Sequence, residues 1–206
     1  ALLSWLFNKI YLEKQISRRR WTAFFAVIFT TSILIDAFTT YGTQLLWPLK
    51  YRFEFNTIFV VDPVFTLPLL ITTIWLMFKD KNAVIRRRLN RTGLIISGIY
   101  LIFTVVNKQM IDRVFEKSLH DQGIEYSSLR TNPTAMNQFL WTAVAKTEHG
   151  FYTGYYSWFD DDRKISFSYS EQNKDLIGPF ENYEPVEKIL RFTKGYYVVE
   201  RSGQDF

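Results

Sequence analysis

Between Trp21 and Val106 the chain holds three apolar stretches, Trp21–Ile35, Thr57–Phe78 and Thr92–Val106, with Asp62 their only Asp, Glu, Lys or Arg. A membrane-spanning helix needs roughly 20 apolar residues, which the middle stretch supplies, while the outer two must borrow flanking residues or sit within a bundle. Aromatic residues stand at the flanks, Trp21, Trp47 and Trp75 with Tyr41 and Tyr100, where amphipathic rings suit lipid headgroups. The competing reading is a soluble protein whose core helices carry the same apolar stretches.

Basic clusters separate the stretches. Lys9, Lys14, Arg18, Arg19 and Arg20 form one, and Lys79, Lys81, Arg86, Arg87, Arg88 and Arg91 form the other. Short Lys/Arg-rich loops stay on the cytoplasmic side, so both clusters are expected inside, and Asp36–Asn56 with everything after Val106 outside. That arrangement puts Asp36, Asp62, Asn107 and Lys108 at one membrane face. Residues 1–106 hold 13 Lys/Arg against 5 Asp/Glu, and residues 107–206 hold 12 against 15, so the basic balance belongs to the first half alone. The partner this pattern suits is a bilayer with anionic headgroups, because nucleic acid would call for a basic face with readout elements. Ala1 to Phe7 reads as the last two turns of a hydrophobic helix, and an upstream segment is expected before it. Cysteine is absent, which excludes disulfides, thiolate metal sites and a cysteine nucleophile.

Past Asn107 the pattern changes. Ile111, Val114, Phe115 and Leu119 recur at helical spacing, predicting an amphipathic helix that continues out of the membrane. Asn132-Pro133 breaks the chain. Aromatic and β-branched runs follow at Leu140–Val144, Phe151–Phe159, Ile165–Tyr169 and Tyr196–Glu200, with turn clusters such as Asp160-Asp161-Asp162 between them. A short helix is expected over Val186–Phe192. The expected architecture is α+β: an N-terminal transmembrane helical bundle over 1–109, then a small extracytoplasmic α+β domain over 110–206 built on an antiparallel meander.

Few residues are equipped for chemistry. His120 and His149 are the two histidines, and they form no helical i, i+4 metal pair. The Asp160–Asp162 run lacks the glycine that a calcium loop needs for its sharp turn. No P-loop, dinucleotide fingerprint or nucleophile elbow occurs. Asp36, Asp62, Arg52 and Lys108 remain as candidates at the outer face. Carboxylates at membrane depth are costly and are normally paired or functional. Asp62 has a plainer alternative, as the N-cap of a helix whose first position is Pro63.

The run Leu34-Ile35-Asp36-Ala37-Phe38-Thr39-Thr40-Tyr41-Gly42-Thr43-Gln44-Leu45-Leu46-Trp47-Pro48 resembles the YdjM-type family of bacterial inner-membrane proteins, described as metal-dependent hydrolases. Ile58-Phe59-Val60-Val61-Asp62-Pro63 with Phe65-Thr66-Leu67-Pro68 is similar to that family's second block, and Val106-Asn107-Lys108 to its third. Likeness continues through Thr131-Asn132-Pro133-Thr134, Gly154-Tyr155-Tyr156-Ser157 and Lys194-Gly195-Tyr196-Tyr197. The resemblance implies a site for a divalent metal such as zinc at the membrane face, built from His and Asp, with Asp36 as the matching carboxylate. It departs at Ser32, where the family has histidine, and the family's other histidines fall in an N-terminal helical region absent here. The expectation is therefore an incomplete metal site.

Three readings follow. One is a membrane-bound, metal-dependent hydrolase at the outer face of the inner membrane, acting on a phosphoester or other small-molecule or lipid-surface substrate. Asp36 would be its metal ligand, Asp62 a second carboxylate, and Arg52 or Lys108 the holder of an anionic group. The second is a non-catalytic, membrane-anchored envelope protein whose Tyr152, Tyr155, Tyr156 and Trp158 recognise a partner. The third is structural, with Asp36 and Lys108 as a buried ion pair.

Overall fold

The computed structural model describes residues 2–10, 16–44, 48, 52–78, 83–161, 164–181 and 183–201. Lys14, Trp47, Lys79, Lys81 and Asp162 lie outside the described residues. The chain divides into two compact units, Ala1–Val60 and Val61–Phe206. Its elements are helices and a four-stranded antiparallel sheet, an α+β protein as expected.

In the first unit, α1 (Leu2–Ile10) and α2 (Arg18–Phe38) pack through aromatic rings. Phe7 lies 5.3 Å from Trp21 and 5.1 Å from Phe25 between ring centroids, and Thr22 Oγ1 donates to Ser4 Oγ at 3.1 Å. At 1.5 Å per residue α2 is about 31 Å long, which matches a hydrocarbon core of about 30 Å. Only 6% of its apolar window is buried. A soluble core helix would hide that window, whereas a helix facing lipid displays it.

The chain after α2 folds back onto its end. Thr39 pairs with Ile58 and Thr43 with Phe53 in isolated bridges. The N–H groups of Phe55 and Thr57 donate to the carbonyls of Ala37 and Phe38 at 2.8 and 2.9 Å. These carbonyls belong to the last turn, which has no partner within its own helix, so the returning strand satisfies them. Gly42 makes the fold-back possible: its φ is +62°, and a Cβ there would meet the Phe53 carbonyl oxygen at 2.6 Å.

In the second unit, α3 (Pro63–Phe78) packs along α4 (Ala83–Asp121). α3 runs through Pro68 as one helix. Arg86 reaches back to donate to the Leu76 carbonyl at 2.9 Å, closing α3's last turn. The buried face of α4 is small and polar over its first turns, with Gly93, Ser97 and Thr104, while Ile99 and Ile102 are 62% and 67% exposed. A Cβ on Gly93 would collide with Thr72 Oγ1, and Ser97 Oγ donates to the Phe65 carbonyl at 2.9 Å. Small residues let membrane helices approach closely, and lipid takes the large apolar ones.

Past Asn107 the same helix inverts. Ile111, Phe115 and Leu119 become its buried side and, with Trp141, Ala143 and Ile165, supply the domain's core. The position 109/110 where a boundary was expected falls inside α4, whose 39 residues are unbroken. At about 58 Å the helix is nearly twice as long as the hydrocarbon is thick.

The sheet has the order β1 (Ser128–Pro133), β2 (Leu140–Lys146), β3 (Gly150–Ser157), β4 (Phe167–Glu171), an antiparallel meander. Trp141, Ala143 and Ala145 of β2 alternate inward and face α4, and Phe115 meets Tyr156 and Phe167 at 6.3 and 6.5 Å. β1 went unforeseen because it lacks aromatic residues and ends in Pro133, which an edge strand tolerates. Tyr196–Glu200, expected as a strand, is extended chain outside the sheet, held by Val199 N–H to the Gln172 carbonyl at 3.2 Å. There Tyr196 covers the second sheet face, stacked on Phe151 with Arg130 over its ring. The helix expected at Val186–Phe192 is α5 (Glu184–Thr193).

Candidate functional site

The four candidates from the sequence divide between the units. Asp36 is in the last turn of α2, exposed, and its carboxylate makes no hydrogen bond to a described residue; its backbone oxygen receives the Thr39 N–H and hydroxyl at 3.1 and 2.7 Å. Arg52 is exposed in the returning chain of the same unit. Asp36 and Arg52 form no ion pair with each other.

Asp62 is 2% exposed and fully employed in structure. Its Oδ1 accepts the N–H groups of Val64 and Phe65 at 2.9 and 3.1 Å, the geometry of an N-cap, with Pro63 in the first helical position. Its Oδ2 accepts the Tyr100 hydroxyl from α4 at 2.8 Å. The capping alternative thus describes what Asp62 does in this fold, and Tyr100, noted from sequence only as an interfacial ring, is the residue that completes it.

Lys108 is held elsewhere. Its Nζ contacts Asp112 Oδ1 at 2.8 Å, one turn along α4, and the Thr131 hydroxyl of β1, which also reaches Asp112. Asp62 and Lys108 are therefore not brought together, and Lys108 finds its carboxylate partner in Asp112 of its own helix. The i, i+4 spacing was visible in the sequence; Thr131 became a partner only through sheet packing. Asn107, next to Lys108 in the chain, is buried and donates to the Gln138 backbone oxygen at 3.0 Å, an oxygen that also accepts Trp141 Nε1 at 2.9 Å. These bonds fasten the sheet to the helix where it emerges from the apolar segment.

A catalytic zinc keeps three protein ligands. Among the described residues no three His, Asp or Glu side chains converge. Ser32 stands four residues before Asp36, and the side chains of His120 and His149 are 91% and 78% exposed beside Asp121 and Glu148. The described residues alone do not assemble the ligand set of a catalytic zinc.

The aromatic residues proposed for recognition are split. Tyr156 packs on Phe115, Tyr152 lies 4.9 Å from Tyr169, and Tyr155 is exposed on the opposite sheet face. Trp158 belongs to a different assembly. It meets Phe139 at 5.7 Å and Phe103 of α4 at 5.9 Å, and Phe139 meets Phe159 at 5.6 Å. Phe159 is 78% exposed and Met136, in the same loop region, 58%. Asn137 shapes the loop by accepting the N–H groups of Phe139 and Leu140 at 3.0 and 2.9 Å and donating to Thr134 Oγ1 at 2.8 Å. A built loop at one end of the sheet therefore presents an apolar tip at the height of Phe103, inside the apolar segment of α4.

No curated protein and no solved structure matches the chain. The model of a family described as YdjM inner membrane protein matches residues 1–111, and α2 and α4 are long and apolar enough to cross a membrane. That match takes in more than half of the chain, with Asp36, Arg52, Asp62, Tyr100 and Lys108 all inside it, and the chain belongs to the YdjM inner membrane protein family.

Proposed function

We propose that this protein is an envelope protein of the inner membrane that holds its sheet domain rigidly against the extracytoplasmic face, with the Phe139–Trp158–Phe159 tip seated among the headgroups. The observation that carries the reading is the contact of Trp158 with Phe103 at 5.9 Å, which ties the tip to the membrane segment of α4. Indole and phenyl rings at the end of an apolar span prefer the interface. The continuous helix and the Asn107–Gln138 bonds prevent the domain from swinging away. Its outward orientation follows from the two basic loops.

Because the chain has no cysteine, single cysteines carrying an environment-sensitive dye report position cleanly. In liposomes, a dye on Phe159→Cys should be blue-shifted and quenched by nitroxide lipids, and one on His149→Cys should not. The strands place these sites about 20 Å apart. Equal quenching at the two sites sinks the reading.

Metal-dependent hydrolysis of a phosphoester or lipid-surface substrate is the second reading, and the exposed carboxylate of Asp36 is what favours it. Elemental analysis and calorimetric titration with zinc test it on the purified chain. Stoichiometric zinc that disappears in Asp36→Asn supports a hydrolase; metal-free protein with no heat of zinc binding removes it.

A further inference from the structure

Beside the tip, a groove of about 890 Å³ runs between α4 and the chain leading into β4. That is the size of a small-ligand site, roughly 300–1,000 Å³. Its floor is apolar, formed by Val114, Tyr156 and Ile165, and Met110 and Trp158 close the end nearest the apolar segment of α4. Its far wall is fixed: Gln122 donates to the Ile165 carbonyl at 2.9 Å and to Ser118 Oγ at 3.1 Å, and Ser118 Oγ accepts the Ile165 N–H at 3.4 Å.

Three cations line the groove, Arg113 and Lys117 from α4 and Lys164 from the opposite wall, with Asp121 as its acidic residue at the distal end. Arg113 follows Val106 by seven residues, which is about 10 Å along the helix. The headgroup layer is only about 5–8 Å deep on each side of the hydrocarbon, so the Arg113 backbone stands just beyond it, and its long side chain, leaning toward the helix N-terminus and hence the bilayer, returns the guanidinium to phosphate height. An apolar end directed at the bilayer and a cationic section at headgroup height match one class of molecule, an amphiphile with an anionic head.

We infer that the groove between α4 and the β4 approach is a binding site for one anionic glycerophospholipid, its phosphate held by Arg113 and Lys117 and an acyl chain lying past Met110 and Trp158. Lys164 adds positive potential from the facing wall. The inference deepens the proposal that the domain rests on the bilayer. Its test is done in detergent, where that contact is absent, so the two fail separately.

The test is native mass spectrometry of the full chain in detergent, titrated with phosphatidylglycerol or phosphatidylcholine. One phosphatidylglycerol adduct is expected to survive collisional activation that strips phosphatidylcholine. The double variant Arg113→Gln/Lys117→Gln should weaken that adduct by about tenfold or more, as befits loss of two cations facing one anionic head. Both positions are exposed, so the variant should melt like the parent. Arg87→Gln/Arg88→Gln, in the basic loop, should leave the adduct unchanged. Equal retention of the two lipids overturns the inference. So does an adduct indifferent to the groove variant, or one lost in the loop variant. Displacement by millimolar glycerol phosphate would assign the site to a soluble phosphate and overturn it as well.

Discussion

The Tyr100 hydroxyl donates to Asp62 Oδ2 at 2.8 Å, joining the first turn of α3 to the middle of α4. The only charged residue of the middle apolar stretch is thereby buried with three donors around it, two from its own helix backbone. A carboxylate so arranged needs no ligand to account for its place near the membrane.

Asp62→Ala should destabilise the protein by about 2 kcal/mol, through loss of the cap and the stranded Tyr100 hydroxyl. Asp62→Asn retains an oxygen for capping and should cost less than about 1 kcal/mol. Unfolding in mixed micelles with increasing SDS measures both. If Asn and Ala prove equally damaging, the charge itself matters and the capping account is wrong.

Close approach of α3 and α4 depends on Gly93 facing Thr72. Gly93→Val should therefore lower stability by about 1–3 kcal/mol, and Thr72→Gly in the same chain should restore part of it, as expected for residues in contact. The measurement is a double-mutant cycle in the same SDS titration. Additive effects would mean that the two positions do not meet.

At the root of the sheet, Lys108, Asp112 and Thr131 satisfy one another, with the Lys108 and Asp112 side chains 15% and 33% exposed. Asp112→Ala leaves a largely buried lysine side chain with one partner for its ammonium and should cost about 1–3 kcal/mol. Lys108→Met/Asp112→Leu should recover much of that, because removing both ends of a shielded pair is cheaper than removing one. Near-UV circular dichroism through a thermal ramp follows the domain. A double variant as unstable as the worse single one would show the pair to be essential.

The outward placement of the sheet is open to labelling in intact cells. A membrane-impermeant maleimide should modify Asp161→Cys directly, and Arg87→Cys only after permeabilisation. The reverse order would invert the whole topology.

Much of the architecture was readable from periodicity. The apolar stretches became α2, α3 and the first part of α4, and Ile111, Phe115 and Leu119 were identifiable as one helical face because they recur at four-residue spacing. Three strands were legible from aromatic and β-branched runs. β1 was not, because an edge strand with Arg130, Asn132 and Pro133 has the composition of a loop. Tyr196–Glu200 misled in the other direction: its aromatic residues cover a sheet face without joining a ladder.

By itself the sequence determined the membrane character of the first half, the exit of α4 from it and the residue types available for chemistry, since all of these follow from local composition and spacing. Only the tertiary structure decided what the polar candidates do. Asp62 could be a cap or a ligand until Tyr100, thirty-eight residues on, was placed against it. Lys108 could face several anions until β1 brought Thr131 to the Asp112 side of α4. Phe103, Phe139 and Trp158 are far apart in the chain and form one apolar tip because the meander returns both strand ends to the same level of the helix. Hydrogen-bond and ring contacts reach only a few ångströms, so their partners are set by the path of the chain through space.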